Sequence, residues 1–463
     1  MSVHTRVPLI FFTSFFLGCT HLKNTPIEVD QSAFKGPQRA PAFFSKRATE
    51  ATLTFSHRVR MISPRKPNKS AAEEQVQSQL THLFGPMERA EYAGVPKEDH
   101  TIKITKIEKS ADAADSFDIQ YDYEGTIVVE KGPRSKIDLT LPINPTTIYQ
   151  EAMVGRHNPC TDDHYQSEGD FWYFWGPAPA YPDCRLKENV HYEIVKGDID
   201  RLKPQSRKTY PEYERLFDNG ALEMHIFFGL DDPKHGHNPN KSADVNAETY
   251  KETRKELLKM GFTVRKWSPE EVAKVLTTTS EGPAPFVEEA EKTYADKNLT
   301  IRIRLFFGEI GINENSRPFH YFFRDALKNA SIMIYDGHSG LGGHLDLSAI
   351  QKSIGFRIAM PKNRYQIYYF NSCTSYTYYN TLYFQKKRGR NKVDDPRGTK
   401  NLDILANGLS TSFDVLANGN MTIIKAIDKW SEHGKRTSYQ EMATAIDSDN
   451  LFTVNGDEDN ARN

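Results

Sequence analysis

The sequence predicts an α/β protein in two parts: a β-rich α+β domain, then a domain built on a mostly parallel sheet. Three observations predict this. The chain has 463 residues, which is long for a single core. Short segments in residues 50–200 alternate apolar and polar residues, whereas beyond residue 220 continuous apolar runs alternate with helical patterns. Continuous runs are typical of strands buried on both faces. We therefore predict domains at 48–205 and 215–450.

Residues 1–18 have the pattern of an export signal peptide. Arg6 precedes an apolar run over residues 7–16, about half of what a membrane-spanning helix needs. The run ends in Leu-Gly before Cys19, and this ending resembles the lipobox of bacterial lipoproteins. The resemblance implies that Cys19 is lipidated with palmitate-type chains, and the following Thr20 implies the outer membrane, on its periplasmic or surface side. An ordinary secretory signal with an incidental cysteine is the alternative.

Two polar segments are predicted to lack regular structure. Residues 19–47 carry three prolines and show neither a helical nor a strand period, so we predict a flexible tether to the membrane. Residues 451–463 end in a polar run and are predicted to form a disordered tail.

The domain at 48–205 is predicted from short alternating segments. A helical pattern near 72–83 interrupts them. Such alternation is typical of antiparallel strands with one face in a core and the other in water. The segments lie at 51–55, 101–105, 117–121, 126–129 and 137–141.

The domain at 215–450 is predicted from strands that alternate with helices, which requires right-handed crossovers and parallel pairing. Helices are predicted at 247–260, after Pro318, and after the capping box of Ser438 and Glu441. The strand candidates lie at 224–229, 262–264, 301–307, 332–335, 367–370 and 402–405.

Reactive side chains follow two of these strands. The strand at 332–335 leads to His338, and the strand at 367–370 leads to Cys373. Because the carboxyl ends of parallel strands meet at one edge of a sheet, we expect the imidazole and the thiol to lie close together. A thiol needs a nearby imidazole or a helix N-terminus to ionise near neutral pH, and a helix is predicted from residue 375. The pattern predicts a cysteine nucleophile with a histidine partner.

These two blocks, the turn from Tyr335 to Gly340 and the segment ending in Cys373, resemble the cysteine peptidases that include caspases, legumains and gingipains. The resemblance covers roughly residues 220–430. It implies a caspase-like α/β/α sandwich in which His338 is the general acid and base and Cys373 the nucleophile. It also implies an oxyanion hole made by the backbone amides of Ser339, Gly340 and Cys373.

The sequence departs from the family pattern in two places. Ser339 stands where the family usually has Gly after its histidine, and the residues around Cys373 differ from the caspase signature. No specificity-pocket residue can be transferred. His344 is a competing candidate for the general base, but it lies further from the strand end.

Cys160 and Cys184 are predicted to form a disulfide, since an exported chain meets an oxidising environment. The bond would stabilise the domain by about 3 kcal/mol. A zinc site with His157 and His164 is the alternative, although its spacing fits no usual structural site. His235 and His237 lie in a polar loop that we predict to be solvated; metal binding is the alternative, but no nearby cluster completes a coordination sphere.

The sequence thus predicts a lipid-anchored cell-envelope cysteine peptidase, a hydrolase that acts on a protein or peptide substrate without a cofactor or metal. With 60 Lys and Arg against 61 Asp and Glu, the chain has no bias toward nucleic acid. The first alternative is a non-catalytic surface lipoprotein, in which a degenerate caspase-like scaffold binds an envelope partner. A sortase-like transpeptidase is the weaker alternative, because the alternation of strands and helices argues against a barrel.

Overall fold

The computed structural model describes residues 43–460 apart from 91, 94–99, 112, 204–206, 277–281, 389–393 and 448–449. The predicted signal peptide, Cys19 and most of the predicted tether therefore lie outside the described residues. The described chain is a mixed α/β protein with two sheets, as predicted.

The first unit is built on an antiparallel sheet. Its described strands follow the order β2-β4-β1-β6-β5, with β3 also paired to β4. Helix α1 packs its apolar face on this sheet and closes the first core. The strands are β1 (Ala48–Ile62), β2 (Tyr92–Ala93), β3 (His100–Lys109), β4 (Ser116–Glu130), β5 (Lys136–Pro142) and β6 (Tyr192–Arg201), and the helices are α1 (Lys69–Thr81), α2 (Phe84–Arg89) and α3 (Ile148–Ala152).

The second unit is built on a mixed sheet with the order β14-β13-β12-β11-β7-β10-β9-β8 among the described residues. The five central strands, β13 to β10 in this order, are parallel, and the three outer strands pair antiparallel. The strands are β7 (Ala221–Leu230), β8 (Thr263–Lys266), β9 (Phe286–Tyr294), β10 (Leu299–Glu309), β11 (Ile332–Asp336), β12 (Gln366–Asn371), β13 (Leu402–Asn407) and β14 (Phe452–Asn455).

Helices cover both faces of the second sheet. Helices α4, α9 and α10 bury their apolar residues against one face, and α6, α7 and α8 against the other, which explains the fully buried central strands. None of the helices in the described part of the chain is long and apolar enough to cross a membrane. The helices are α4 (Val245–Lys259), α5 (Pro269–Leu276), α6 (Arg317–Asn329), α7 (Leu347–Ile354), α8 (Ser375–Arg388), α9 (Leu416–His433) and α10 (Tyr439–Ile446).

The predicted disordered tail at 451–463 is wrong for residues 451–460. Strand β14 pairs with β13, and all four of its residues are buried. Phe452 and Val454, two positions apart, belong to the core of the second unit. The end of the predicted tether is ordered as well. Phe44 exchanges backbone hydrogen bonds of 3.0 and 2.9 Å with Val454, and Phe43 is buried. A short strand within polar sequence carries too few apolar residues to be seen by periodicity alone.

Lys387 at the end of α8 is buried, and its ammonium donates to the carbonyl of Arg364 and to Oε1 of Gln366, both at 2.7 Å. Burial, together with the positive charges of Lys362 and Arg364, lowers the pKa of Lys387 to about 6. The unfolded side chain titrates near 10.4. Between about pH 6 and 10 the unfolded state therefore binds one more proton, and stability rises with pH by up to about 1.4 kcal/mol per unit.

We expect Lys387→Met to remove this part of the pH dependence. The measurement is the free energy of unfolding in urea at pH 7 and pH 9, for wild type and variant. Lys352→Met, at an exposed position of α7, is the control and should keep the wild-type difference. An unchanged difference in Lys387→Met would show that the ammonium is solvated in the folded protein.

Candidate active site

Three neighbouring parallel strands carry the candidate residues at their carboxyl ends. Asp336 is in register with Phe228 of β7 on one side and with Asn371 of β12 on the other. His338 lies two residues beyond Asp336, and Cys373 lies two residues beyond Asn371. Adjacent strands are about 4.8 Å apart, so the imidazole and the thiol emerge from adjacent positions at one edge of the sheet.

A third residue, Asp231, joins this edge from β7. Its Oδ1 lies 2.6 Å from Nε2 of His338, whose side chain is 42% exposed. Because a carboxylate only accepts, the hydrogen of this contact belongs to Nε2, so a neutral His338 carries no hydrogen on Nδ1. The sequence patterns at His338 and Cys373 do not predict Asp231. Its position directly after a buried strand of the same sheet is the signal that could have found it.

The turn that carries Asp231 is held by Asp244, the N-cap residue of α4. Oδ2 of Asp244 accepts the backbone N–H groups of Asp231 and Asp232 at 2.8 and 2.9 Å, while its Oδ1 caps the helix at Asn246. The side-chain amide of Asn246 donates to the carbonyl of Gly229 at 2.6 Å. The carboxylate that faces His338 is therefore fixed by the start of the following helix.

Hydrogen bonds to main-chain carbonyls fix the loop that carries His338. The hydroxyl of Tyr335 donates to the carbonyl of His338 at 2.7 Å, and the hydroxyl of Tyr379 donates to the carbonyl of Ser339 at 2.9 Å. Nδ1 of His344 lies 2.8 Å from the same His338 carbonyl. Burial, with the neighbouring charge of His338, lowers the pKa of His344 to about 4. His344 is thus a neutral support of the loop, which leaves His338 as the exposed base candidate.

Cys373 lies between the end of β12 and the start of α8. The next residue, Thr374, has φ +50°, a left-handed conformation that costs a β-branched residue about 1–2 kcal/mol. Strain of this kind concentrates at functional turns. The half-buried Cys373 thiol donates to the carbonyl of Thr411 at 3.7 Å. Burial raises its pKa and a negative charge at Glu88 adds to the rise, while a hydrogen bond with the Thr411 backbone partly offsets it.

A buried polar clamp joins the two strand ends beneath these residues. The side-chain amide of Asn371 donates to Oδ1 of Asp336 at 2.8 Å, and the amide of Asn420 donates to the other carboxyl oxygen. The hydroxyl of Tyr369 donates to Oδ1 of Asn371 at 2.8 Å. Burial raises the pKa of Asp336 to about 7 despite the two amide donors. The clamp ties the position of His338 to that of Cys373.

The predicted oxyanion-hole residues lie on the two turns beside this clamp. In the hydrogen bonds of the described residues, the backbone N–H groups of Ser339, Gly340 and Cys373 donate to no other residue. Gly340 has φ +53°, and a Cβ there would meet the ring of His344 at 2.1 Å. A glycine is therefore required at Gly340.

The predicted disulfide between Cys160 and Cys184 is confirmed, with an S–S distance of 2.08 Å. The zinc alternative at these cysteines is wrong, because both sulfurs are consumed by the bond. Among the described residues, no group of three or more His, Cys, Asp or Glu side chains could hold a metal ion. His237 lies with Nε2 3.1 Å from Oε1 of Glu309.

Comparison with protein-family models, with curated proteins and with solved structures finds no match for this chain.

Proposed function

We propose that the chain is a caspase-like cysteine peptidase, anchored to the cell envelope through a lipid on Cys19. The observation that carries the proposal is the 2.6 Å contact between Asp231 and His338, because β11, which leads to His338, pairs with β12, which leads to Cys373. An acid that orients an imidazole next to a thiol is the arrangement that nucleophilic catalysis requires.

In the proposed reaction, Nδ1 of His338 takes the proton of the Cys373 thiol, and the sulfur attacks the carbonyl carbon of a peptide bond. The developing oxyanion accepts hydrogen bonds from the backbone amides of Ser339, Gly340 and Cys373. His338 then gives its proton to the leaving amine as the C–N bond breaks, and a thioester remains. Water, deprotonated by the same imidazole, hydrolyses the thioester and returns the thiol.

A non-catalytic lipoprotein that binds an envelope partner is the second candidate. The observation that favours it is the state of the thiol, because Cys373 donates to the Thr411 carbonyl and its pKa is raised. A thiol in this state is a poor nucleophile. The two candidates differ in whether Cys373 becomes reactive when His338 is present.

Labelling with an iodoacetamide-type probe tests the proposal. We expect Cys373, the free thiol of the described chain, to be labelled and the labelling rate to fall about tenfold or more in His338→Ala. Wild type should cleave members of a random peptide library, and Cys373→Ala should cleave none. His433→Ala, at an exposed position of α9, is the control. Absence of both labelling and cleavage, in the wild type and also in Glu88→Ala, would favour the non-catalytic candidate.

A further inference from the structure

The first unit packs directly against the segment that follows Cys373. Oε1 of Glu88, on α2, accepts from the hydroxyl of Ser410 at 2.5 Å and from the hydroxyl of Thr374 at 3.4 Å. Thr374 is the neighbour of Cys373, and Ser410 precedes Thr411, whose carbonyl holds the thiol. Glu88 therefore joins the two loops that flank the candidate nucleophile.

Two further contacts reach the first turn of α8. The hydroxyl of Tyr376 donates to Oε1 of Glu50 in β1 at 2.5 Å, in a buried bond. The ring of Phe84 in α2 stacks on Tyr378, with centroids 6.1 Å apart. Phe84 is held in turn by Tyr173, with ring centroids 4.8 Å apart. Residues 374, 376 and 378 thus all touch the first unit.

Tyr173 belongs to a loop that the disulfide closes. The loop between Cys160 and Cys184 packs through Trp172 and Tyr173 into the same core cluster as Tyr378. The residues of the first unit that dock here, Glu50, Phe84, Glu88, Trp172 and Tyr173, form what we call the cover, and the cover is continuous with the core of the second unit.

The electrostatic effect of this cover opposes catalysis. The start of α8 favours a thiolate through its backbone N–H groups. Burial and the negative charge of Glu88 nevertheless raise the pKa of Cys373. The second carboxyl oxygen of Glu88, Oε2, is buried and has no hydrogen-bond partner among the described residues. A buried acceptor without a donor costs free energy, and this cost would be relieved if the contact opened.

We propose that the first unit is a built-in inhibitor of the cysteine site, docked through Glu88 on the Cys373 loops and through Glu50 on Tyr376. The inference rests on the proposed peptidase function, and it adds that this function requires the contact to open. Opening would solvate the thiol, remove the carboxylate and clear the loops around Cys373 for a peptide.

The test compares thiol reactivity and cleavage in the full chain. We expect Glu88→Ala to raise the rate of Cys373 labelling by iodoacetamide about tenfold or more, and to raise peptide cleavage in parallel. Tyr376→Phe removes the Glu50 contact without touching Glu88, and we expect a smaller rise. Glu74→Ala, an exposed acid of α1 that bonds within its own helix, should label at the wild-type rate.

The outcomes separate the two proposals. Faster labelling in Glu88→Ala without cleavage of any peptide would retain the inhibitory contact and overturn the peptidase. Wild-type labelling rates in both Glu88→Ala and Tyr376→Phe, alongside cleavage by wild type, would overturn the inhibitory contact and retain the peptidase. Near-UV circular dichroism confirms that each variant is folded, and if Glu88→Ala does not fold, Tyr376→Phe decides.

Discussion

Asp231→Asn is expected to reduce kcat/KM for peptide cleavage by about 10²–10⁴-fold, with little change in stability. The reason is the 2.6 Å contact with Nε2 of His338. A carboxylate at this distance fixes the tautomer that leaves Nδ1 as base and stabilises the imidazolium that forms during proton transfer. An amide fits the same space, but it can present a hydrogen to Nε2 and so favour the wrong tautomer.

The measurement is kcat and KM on a peptide that wild type cleaves, in the wild-type and Glu88→Ala backgrounds. Since Asp231 acts on proton transfer, the loss should fall on kcat rather than on KM. Asp232→Asn is the matched control, because its side chain caps the next turn at Lys234 and does not bond to His338. Equal kcat in Asp231→Asn and wild type would show that Asp231 only holds the loop in place and does not assist proton transfer.

The edge of the sheet where the site lies could be predicted from the sequence. The strands before His338 and Cys373 are continuous apolar runs, and all their residues are buried. A strand with two buried faces must end where polar residues begin. The length of each apolar run and the polar residues after it therefore predict that His338 and Cys373 follow strand ends. The helix from Ser375 was predicted from the same boundary.

The partners of these residues could not be predicted in the same way. Asp231 lies 107 residues before His338, and Glu88 lies 286 residues before Thr374. Residues so far apart in the sequence form no periodic pattern. Only the strand order and the packing of the two units bring these groups together. Strand β14 was missed for a related reason, because its pairing with β13 is decided by the sheet and not by its four residues.

The clamp between Asp336 and Asn371 is expected to have the largest effect on stability. In Asp336→Asn, the NH₂ group of the new side chain faces the NH₂ group of Asn371 or of Asn420, so two donors meet. In Asn371→Asp, two carboxyl groups face each other. Both changes leave buried groups without complementary partners, so we expect each to lower the free energy of unfolding by about 2–4 kcal/mol at pH 7. Each should also lower kcat, because the clamp sets the spacing of His338 and Cys373.

The double variant Asp336→Asn/Asn371→Asp exchanges donor and acceptor and restores a complementary pair. The new amide can donate to the new carboxylate and still accept from Asn420, and the carboxylate accepts from Tyr369, but the bond from residue 371 to the Leu416 carbonyl is lost. We therefore expect the double variant to recover part of the stability, measured by urea unfolding as a double-mutant cycle. Losses that simply add would show that the two side chains do not interact.

The same variants carry a pH signature with a definite sign. The folded pKa of Asp336 is raised to about 7, above its unfolded value near 3.9. Between these two pH values, the folded state binds one more proton at Asp336 than the unfolded state does. The free energy of unfolding therefore falls as pH rises from about 4 to 7. Asp336→Asn should flatten that part of the curve. Asn371→Asp should steepen it, because two facing carboxyl groups are tolerated only while they share a proton.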